Sequence, residues 1–469
     1  MVAWPLIVAA ALVAACGSRD DRGQDAAADV EDAGDQAESV DAPQDEAEEA
    51  GDAVEEDAAQ DCTMPSAEEQ AALDADVNAY IVGEDDTLPG RLASGYPDLC
   101  FEALAAAIRS RPAADPATGV IATSFPYGGS AATLHLYVSP SAVIDGTVRV
   151  PLVVWLHGAG DSGASNVSHP TLQSMADDLG GILAVPTAPT TCDWSASDSC
   201  AALVHGTVQA VKRAYPVDDD RVYITGFSMG GRGSYTDGLT WPDMFAGVVP
   251  VAGTIGACHG TLDLDVHRDY VYPHVENAEH QRVRLITGLL DLEYLVAQNE
   301  AAAGVFDELG YDFEWDPLEG VGHAFPTAEW TTAMTWVSGH SRDPYPVEVL
   351  YNMALMASSY YDNLYMNSSL RTNVYWLRIE RRASNLDPAR MEGSIEGQTV
   401  TVATTNISEV SVYLADELLD LDLPVTIVVN GGLWHEGVVA RDPVLALEHA
   451  RERLERTMVF AARIQGVVP

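Results

Sequence analysis

The feature that most restricts the fold is a series of short apolar runs separated by helix-like segments. The run Val150–Leu156 is almost wholly apolar, as expected of a strand covered on both faces. Further apolar runs follow at Ile182–Val185, Val222–Thr225, Gly247–Val251 and Val283–Thr287. Strands that alternate with helices predict an α/β fold, with a mostly parallel sheet flanked by helices.

The segments on either side of this region have a different character. Ser66 and Glu69 match a capping box, which predicts a helix to about Val82, and a second helix is expected over Leu99–Arg111. After the prolines that follow Arg342, alternating runs separated by turns predict a C-terminal all-β sandwich domain. One helical patch is expected there at Leu445–Leu454.

A sharp turn from strand to helix is predicted at Gly226-Phe-Ser228-Met-Gly230, which matches G-x-S-x-G. The glycines are needed because side chains beside the serine would collide with the strand and the helix. The turn pushes the Ser228 hydroxyl out at the carboxyl end of the sheet. An apolar strand precedes the motif and a helical segment follows it, which is the context a nucleophilic serine requires.

A serine nucleophile needs a base, and the base needs a carboxylate that orients it. On a scaffold of this kind the order along the chain is Ser, then Asp or Glu, then His. Asp291 follows the strand Val283–Thr287 and is the predicted acid, with Glu293 in reserve. His323 lies in a glycine-flanked loop and is the predicted base. Three other histidines compete less well: His259 precedes the acid, His340 lies at the domain boundary, and His435 lies in the second domain.

Two backbone amides are expected to bind the oxyanion of the reaction. One is that of Met229, directly after the serine. The other is expected in the loop after Val150–Leu156, from Ala159 first and from Gly158 next. His157 is expected to brace this loop, and a metal role for it is the weaker interpretation. Trp194 either lines the substrate pocket or packs in its loop, and the sequence leaves both open.

These motifs, LHGAGDSG and GFSMGG, resemble those of the α/β-hydrolase superfamily over about Ala117–Ser341. They are similar to those of carboxylesterases and acyl-protein thioesterases, and to those of secreted polyhydroxybutyrate depolymerases and feruloyl esterases. Prolyl-oligopeptidase-type catalytic domains share them as well. The resemblance implies an α/β-hydrolase fold, the triad Ser228, Asp291 and His323, an oxyanion hole at Ala159 and Met229, and no cofactor. The C-terminal part resembles β-sandwiches appended to some secreted bacterial hydrolases.

The first residues carry a targeting pattern. Residues 1–15 are apolar and uncharged, and they end before Cys16 in Val-Ala-Ala-Cys-Gly, which resembles the lipobox of bacterial lipoproteins. That resemblance implies lipid attachment at Cys16 and an exported, surface-anchored protein. A plain secretory signal with a chance Cys16 is the alternative. The domains expected along the chain are a signal (1–15), a disordered acidic tether (16–61), a helical extension (62–116), a catalytic domain (117–341) and the sandwich (342–469).

Charge and cysteine content restrict the partners. The chain carries a formal charge of −47, of which residues 17–61 contribute −16, and it contains a single lysine, Lys212. Such a chain is a poor ligand for nucleic acid and should favour uncharged ester substrates, small or polymeric. In an oxidising compartment, five further cysteines suggest two bridges and one odd thiol. Cys192 with Cys200, and Cys62 with Cys100, are possible pairs, although the sequence does not fix the connectivity.

The function predicted from these patterns is a surface-anchored serine hydrolase that cleaves carboxylic esters through an acyl-enzyme on Ser228. A serine peptidase or a thioesterase of the same fold remains an alternative. A non-catalytic binding lipoprotein with a relic hydrolase domain is a further alternative from a different class. Metal binding is not expected, because clustered Cys and His spacings are missing from the sequence.

Overall fold

The structure is a computed structural model that describes residues 62–111, 117–190, 192, 194, 198–255, 262–353, 372–384 and 387–469. The predicted signal and tether, including Cys16, lie outside the described residues, as do Cys258 and His259. Within these ranges no helix is both long and apolar enough to cross a membrane.

The first described segment, residues 62–111, forms three helices, α1 (Ala67–Val82), α2 (Leu88–Gly95) and α3 (Phe101–Arg109). The predicted capping box is present, since the Ser66 amide donates to the Glu69 carboxylate at 2.8 Å and the Ser66 hydroxyl accepts from the Glu69 amide. Gly83 ends α1 in the left-handed conformation. The second predicted helix is shorter than expected, and α2, which has a proline in its first turn, was not predicted.

A central sheet of eight strands follows. Its strands are β1 (Gly119–Tyr127), β2 (Ser130–Val138), β3 (Val150–Leu156), β4 (Ile182–Pro186), β5 (Val217–Phe227), β6 (Gly247–Val251), β7 (Arg282–Gly288) and β8 (Phe313–Leu318). They pair in the order β1-β2-β4-β3-β5-β6-β7-β8. β2 is antiparallel to both of its neighbours, and the remaining pairs are parallel. The predicted mostly parallel sheet is therefore confirmed.

Helices connect these strands and cover both faces of the sheet. They are α4 (Gly163–Asn166), α5 (Pro170–Leu179), α6 (Asp198–Ala214), α7 (Met229–Thr240), α8 (Leu264–Val275), α9 (Glu293–Leu309) and α10 (Thr327–Val337). Successive side chains of β3 enter two different apolar cores: Leu152 and Val154 pack on one face, and Val153 and Trp155 on the other. All seven residues of β3 are buried, which explains why its sequence is apolar without alternation.

The described residues of the C-terminal part, 342–353, 372–384 and 387–469, form two further sheets and one helix. Its strands are β9 (Glu348–Met353), β10 (Asn373–Val374), β11 (Leu377–Arg382), β12 (Ala389–Glu396), β13 (Thr399–Thr405), β14 (Ile407–Leu414), β15 (Val425–Val429), β16 (Gly432–Gly437) and β17 (Ala462–Val467). One sheet has the order β10-β11-β14-β17 and the other β16-β15-β13-β12-β9. Residues from both sheets, such as Val412 and Ile427, belong to one apolar core. The helix α11 (Pro443–Arg453) packs against α1 and α3, so the first and last segments of the described chain share a core.

A buried ionic cluster also joins the three parts. The Asp219 carboxylate, which is completely buried, forms ion pairs with Arg111 and, at 2.9 Å, with Lys212. It also accepts the backbone amide of Arg456 at 3.0 Å. The Arg456 guanidinium in turn donates to Asn78 in α1. The lysine that occurs once in the chain therefore lies at the junction of the N-terminal, central and C-terminal segments.

Candidate active site

The turn between β5 and α7 carries Ser228, whose φ of 59° is a strained conformation for a residue with a side chain. The flanking glycines leave no room for a methyl group. A Cβ on Gly226 would lie 2.4 Å from the Gly230 carbonyl oxygen, and one on Gly230 would lie 1.9 Å from that of Leu156. Because these two positions are glycine, α7, which begins directly after Ser228, can pass over the end of β3.

Three predicted residues meet at this turn, although they come from three separate loops. The Ser228 hydroxyl lies 2.7 Å from His323 Nε2. The other ring nitrogen of His323, Nδ1, lies 2.8 Å and 3.0 Å from the two carboxylate oxygens of Asp291. The Asp291 side chain is completely buried and also accepts the Leu292 amide at 2.7 Å, which fixes its orientation. A carboxylate, an imidazole and a hydroxyl are thus connected in one hydrogen-bonded line.

The alternative candidates lie elsewhere. Glu293 is exposed in the first turn of α9, and it is Asp291 that contacts the imidazole. His340 bonds through its ring to the His280 carbonyl, and His435 belongs to β16 in the C-terminal part. These positions exclude Glu293, His340 and His435 from direct contact with Ser228 in this structure.

His157 is buried and supports the loop that follows β3. Its Nε2 accepts the Ala188 amide at 3.0 Å, and its Nδ1 bonds to the Gly158 carbonyl at 2.8 Å. Since an amide can only donate and a carbonyl can only accept, the ring is neutral with its proton on Nδ1. Burial lowers the pKa of His157 and outweighs the opposite effects of the Gly158 carbonyl and of Asp161. His157 therefore braces the loop, as the sequence predicts.

The two predicted oxyanion donors belong to two different segments, the start of α7 and the loop that follows β3. Met229 is the first residue of α7, where backbone amides have no acceptor within the helix. Ala159 is exposed in the loop that His157 braces. This loop runs beside the strand end, since a Cβ on Gly158 would lie 3.5 Å from the Phe227 carbonyl oxygen.

Sequence reasoning missed an aromatic group next to the base. The Phe227 ring lies 5.2 Å from that of His323 and 6.0 Å from that of Phe325, which packs in turn on Trp155 at 5.2 Å. Leu290, next to Asp291, is 70% exposed on the same edge of the sheet. The phenylalanines that adjoin Ser228 and follow His323 were the available signal. These side chains form an apolar surround for the base.

Two disulfides occur among the described residues, and they match the pairs considered from the sequence: Cys62 with Cys100 and Cys192 with Cys200. Among the described residues, the one group with geometry suited to a metal is Cys62, Cys100 and Glu102. Its two sulfurs are bonded to each other, so neither is available as a thiolate ligand.

Trp194 is fully buried, and its indole Nε1 donates to the His157 carbonyl oxygen at 2.9 Å. Of the two interpretations that the sequence left open, packing within the loop is the correct one.

Comparison with known proteins gives partial matches. No protein-family model matches the chain. The chain is 33% identical over 158 residues to the protein named Putative esterase NocK from Nocardia uniformis subsp. tsuyamanensis, a match that covers 32% of this chain and 45% of that one. It is 32% identical over 118 residues to feruloyl esterase B from Neurospora crassa, which covers 23% of this chain and 40% of the relative. The chain thus spans less than half of the length of either relative.

Among solved structures, a thermostable esterase is similar at 22% identity with a TM-score of 0.38, over 48% of this chain and 63% of that one. An S-formylglutathione hydrolase from Staphylococcus aureus has 16% identity and a TM-score of 0.38, over 47% of this chain and 98% of that one. Both sequence relatives are named as esterases.

Proposed function

We propose that this protein is a serine esterase that cleaves carboxylic esters through an acyl-enzyme on Ser228. The observation that carries the proposal is the unbroken hydrogen-bonded line from the Asp291 carboxylate through His323 to the Ser228 hydroxyl. The names of the two sequence relatives agree with it.

The proposed reaction has two halves. Ser228 Oγ attacks the ester carbonyl while His323 Nε2 takes its proton, and Asp291 stabilises the imidazolium that forms. The amides of Ala159 and Met229 bind the oxyanion of the tetrahedral intermediate. His323 returns the proton to the leaving alcohol, and the acyl group remains on Ser228. Water, deprotonated by His323, then attacks the acyl-enzyme and releases the acid.

The proposed substrate is uncharged in the region of the ester. Residues outside 17–61 carry a net charge of −31, which repels anions from the protein. The apolar surround of Phe227 and the exposed Leu290 favour an apolar acyl or alcohol group. Small and polymeric esters both fit this description, and one of the relatives is named as a feruloyl esterase.

A fluorophosphonate probe tests the mechanism, because it phosphonylates an activated serine. We expect one adduct, located by mass spectrometry on the peptide that contains Ser228. Ser228→Ala should abolish both labelling and ester hydrolysis. Ser408→Ala, in the C-terminal sheet, is the matched control and should retain both. A folded protein whose Ser228 takes no label would refute the proposal.

A substrate panel separates esterase activity from the alternatives. Aryl esters with acyl chains of different length, feruloyl esters, acyl thioesters and peptide amides would be compared by kcat/KM. We expect the esters to be hydrolysed fastest. Preferential cleavage of peptide amides or of thioesters would assign the same site to a peptidase or a thioesterase. If Ser228→Ala kept the full cellular phenotype, the chain would be a binding protein instead.

We propose that the two C-terminal sheets form a β-sandwich that covers part of the catalytic domain. We also propose that the protein is exported and lipid-anchored through Cys16. The two disulfides support an oxidising compartment. Metabolic labelling with an alkyne fatty acid should mark the natural protein and leave Cys16→Ser unlabelled. Equal labelling of both, or release of neither from membranes, would contradict the anchor.

A further inference from the structure

We propose that Trp194, held in place by the Cys192–Cys200 disulfide, is a positioning residue that aims the Ala159 amide at the oxyanion. The inference rests on the proposed esterase function, because it assigns a role within that reaction. Trp194 itself does not contact the reacting atoms. It acts through the backbone of the loop that follows β3.

The orientation of the Ala159 amide follows from peptide geometry. In a trans peptide the carbonyl of one residue and the amide of the next point in opposite directions, and no cis bond occurs in the described chain. The Gly158 carbonyl accepts two donors, His157 Nδ1 at 2.8 Å and the Asp161 amide at 3.2 Å. These bonds turn the Gly158 oxygen inward, so the Ala159 N–H points the other way. No hydrogen-bond acceptor for it occurs within the described ranges.

The preceding peptide is fixed by Trp194. Its indole Nε1 donates to the His157 carbonyl oxygen at 2.9 Å, and its ring stands edge-on to the His157 imidazole at 5.3 Å. The His157 ring also accepts the Ala188 amide, which belongs to the same connection between β4 and α6. This connection therefore holds His157 at both its ring and its carbonyl group.

Trp194 is also wedged against the nucleophile helix. A Cβ on Gly233 in α7 would lie 2.4 Å from the Trp194 Cβ and 2.8 Å from Leu156 Cδ1. Trp194 thus packs directly against the helix that carries Ser228, while its indole donates to the loop that carries Ala159. Its backbone has a φ of 53°, a conformation that needs support from its surroundings.

The disulfide supplies that support. Cys192 lies two residues before Trp194, and its partner Cys200 is buried in the first turn of α6. The bond closes the short loop that contains the indole. Opening it gives Trp194 the freedom to leave its site, and His157 then loses the donor to its carbonyl. Reduction should therefore lower the rate of the chemical step.

Two tryptophans allow a matched test. Trp194→Phe removes the indole donor beside the active site. Trp376→Phe removes an equally buried indole that donates to the Pro346 carbonyl at 2.8 Å in the C-terminal part. We expect Trp194→Phe to lower kcat on an aryl ester about ten-fold or more with little change in KM, because a misaligned oxyanion donor acts on the transition state. Trp376→Phe should keep the wild-type kcat when assayed below its unfolding temperature.

The ratio of rates on an oxoester and its thionoester separates this role from general loosening. Sulfur accepts hydrogen bonds more weakly than oxygen, so aligned amides favour the oxoester. The ratio should fall in Trp194→Phe by about the same factor as kcat, and it should not change in Trp376→Phe. The double variant Cys192→Ser/Cys200→Ser should behave like Trp194→Phe, whereas Cys62→Ser/Cys100→Ser should keep both kcat and the ratio.

A Trp194→Phe variant that matches Trp376→Phe in kcat would overturn the inference. So would a lower kcat with an unchanged ratio, because loosening of the fold affects both substrates alike. Failure of the proposed esterase function would give a different result. The wild-type protein would then take no fluorophosphonate label and hydrolyse no ester, and both proposals would be overturned. If the wild-type protein is active and labelled, the variants test the positioning role alone.

Discussion

Asp219 offers the sharpest test of how the segments of the chain are held together. Its completely buried carboxylate contacts Arg111, two residues after α3, Lys212 in α6 and the Arg456 amide after α11. Asp219→Asn keeps the shape of the side chain and removes the negative charge. Two cations, each 4% exposed, would then remain buried without this counter-charge.

The magnitude follows from burial. Breaking a buried ion pair by removing one partner costs about 3–5 kcal/mol, because the remaining charge stays out of water. With an unfolding entropy of about 2.1 cal/mol/K per residue over roughly 400 folded residues, each kcal/mol lowers Tm by about 1 °C, so we expect a drop of about 4–6 °C in a thermal melt followed by circular dichroism. Asp312→Asn is the matched control. Its pair with Arg282 is 2.8 Å long but half exposed, and it should cost about 0–1 kcal/mol.

The pH dependence of stability provides a second test of the ion pairs of Asp219. Burial raises the pKa of Asp219, but the charges of Arg111 and Lys212 outweigh it and hold the pKa well below the ordinary value of 3.8. The folded state therefore binds this proton more weakly than the unfolded state. The stabilisation is complete above the ordinary pKa and declines as the pH falls below it towards the folded value.

We therefore expect the difference in Tm between wild type and Asp219→Asn to be constant above about pH 5 and to shrink below about pH 4. Ester hydrolysis at low temperature should persist in the variant. The groups that Asp219 contacts belong to Arg111, Lys212 and Arg456, and none of these residues is a member of the triad. A variant that melts within the range of Asp312→Asn, or a difference that does not vary with pH, would refute the electrostatic explanation.

Three further predictions concern single features. Gly230→Ala should abolish hydrolysis or folding, because the added Cβ would lie 1.9 Å from the Leu156 carbonyl oxygen. Gly304→Ala is the control, because a Cβ added there in α9 meets open space. It should raise the free energy of unfolding by about 0.5–1 kcal/mol in a urea melt. Cys62→Ser/Cys100→Ser should lower stability by about 4 kcal/mol if loop entropy over a separation of 38 residues dominates, and an unchanged melt would contradict that reasoning. Neutral esters should have a higher kcat/KM than anionic esters of equal size, with a gap that narrows in salt; a preference for polyanionic esters would count against the charge argument.

Local patterns were sufficient for the central sheet and the reacting groups. The apolar runs of β3 and β6 were placed correctly because strands buried on both faces have no polar alternation to confuse them with other elements. Ser228, Asp291 and His323 each follow a strand in a fixed order along the chain. The scaffold brings the carboxyl ends of parallel strands to one edge, and the three side chains meet there.

Strands with one solvent-exposed face were harder to predict from the sequence. β12 and β17 alternate buried and exposed positions and carry glycines and charged residues, so their sequences look like loops. The sequence predicts one strand over Asn373–Glu380, but the structure has two, β10 and β11, which are interrupted at Tyr375 and Trp376, and the sequence does not predict β9.

Local sequence patterns specify the parallel sheet and the turn at Ser228, because each depends on neighbours within a few residues. Asp291 and His323 are found instead from the order that such a scaffold imposes along the chain, since His323 lies 95 positions from Ser228. Only the folded structure shows which groups support these three residues. Trp194 reaches the His157 carbonyl across 37 positions, and Asp219 meets Arg456 across 237. Contacts at such separations depend on how helices and loops pack in three dimensions, and no periodicity or motif along the chain records that packing.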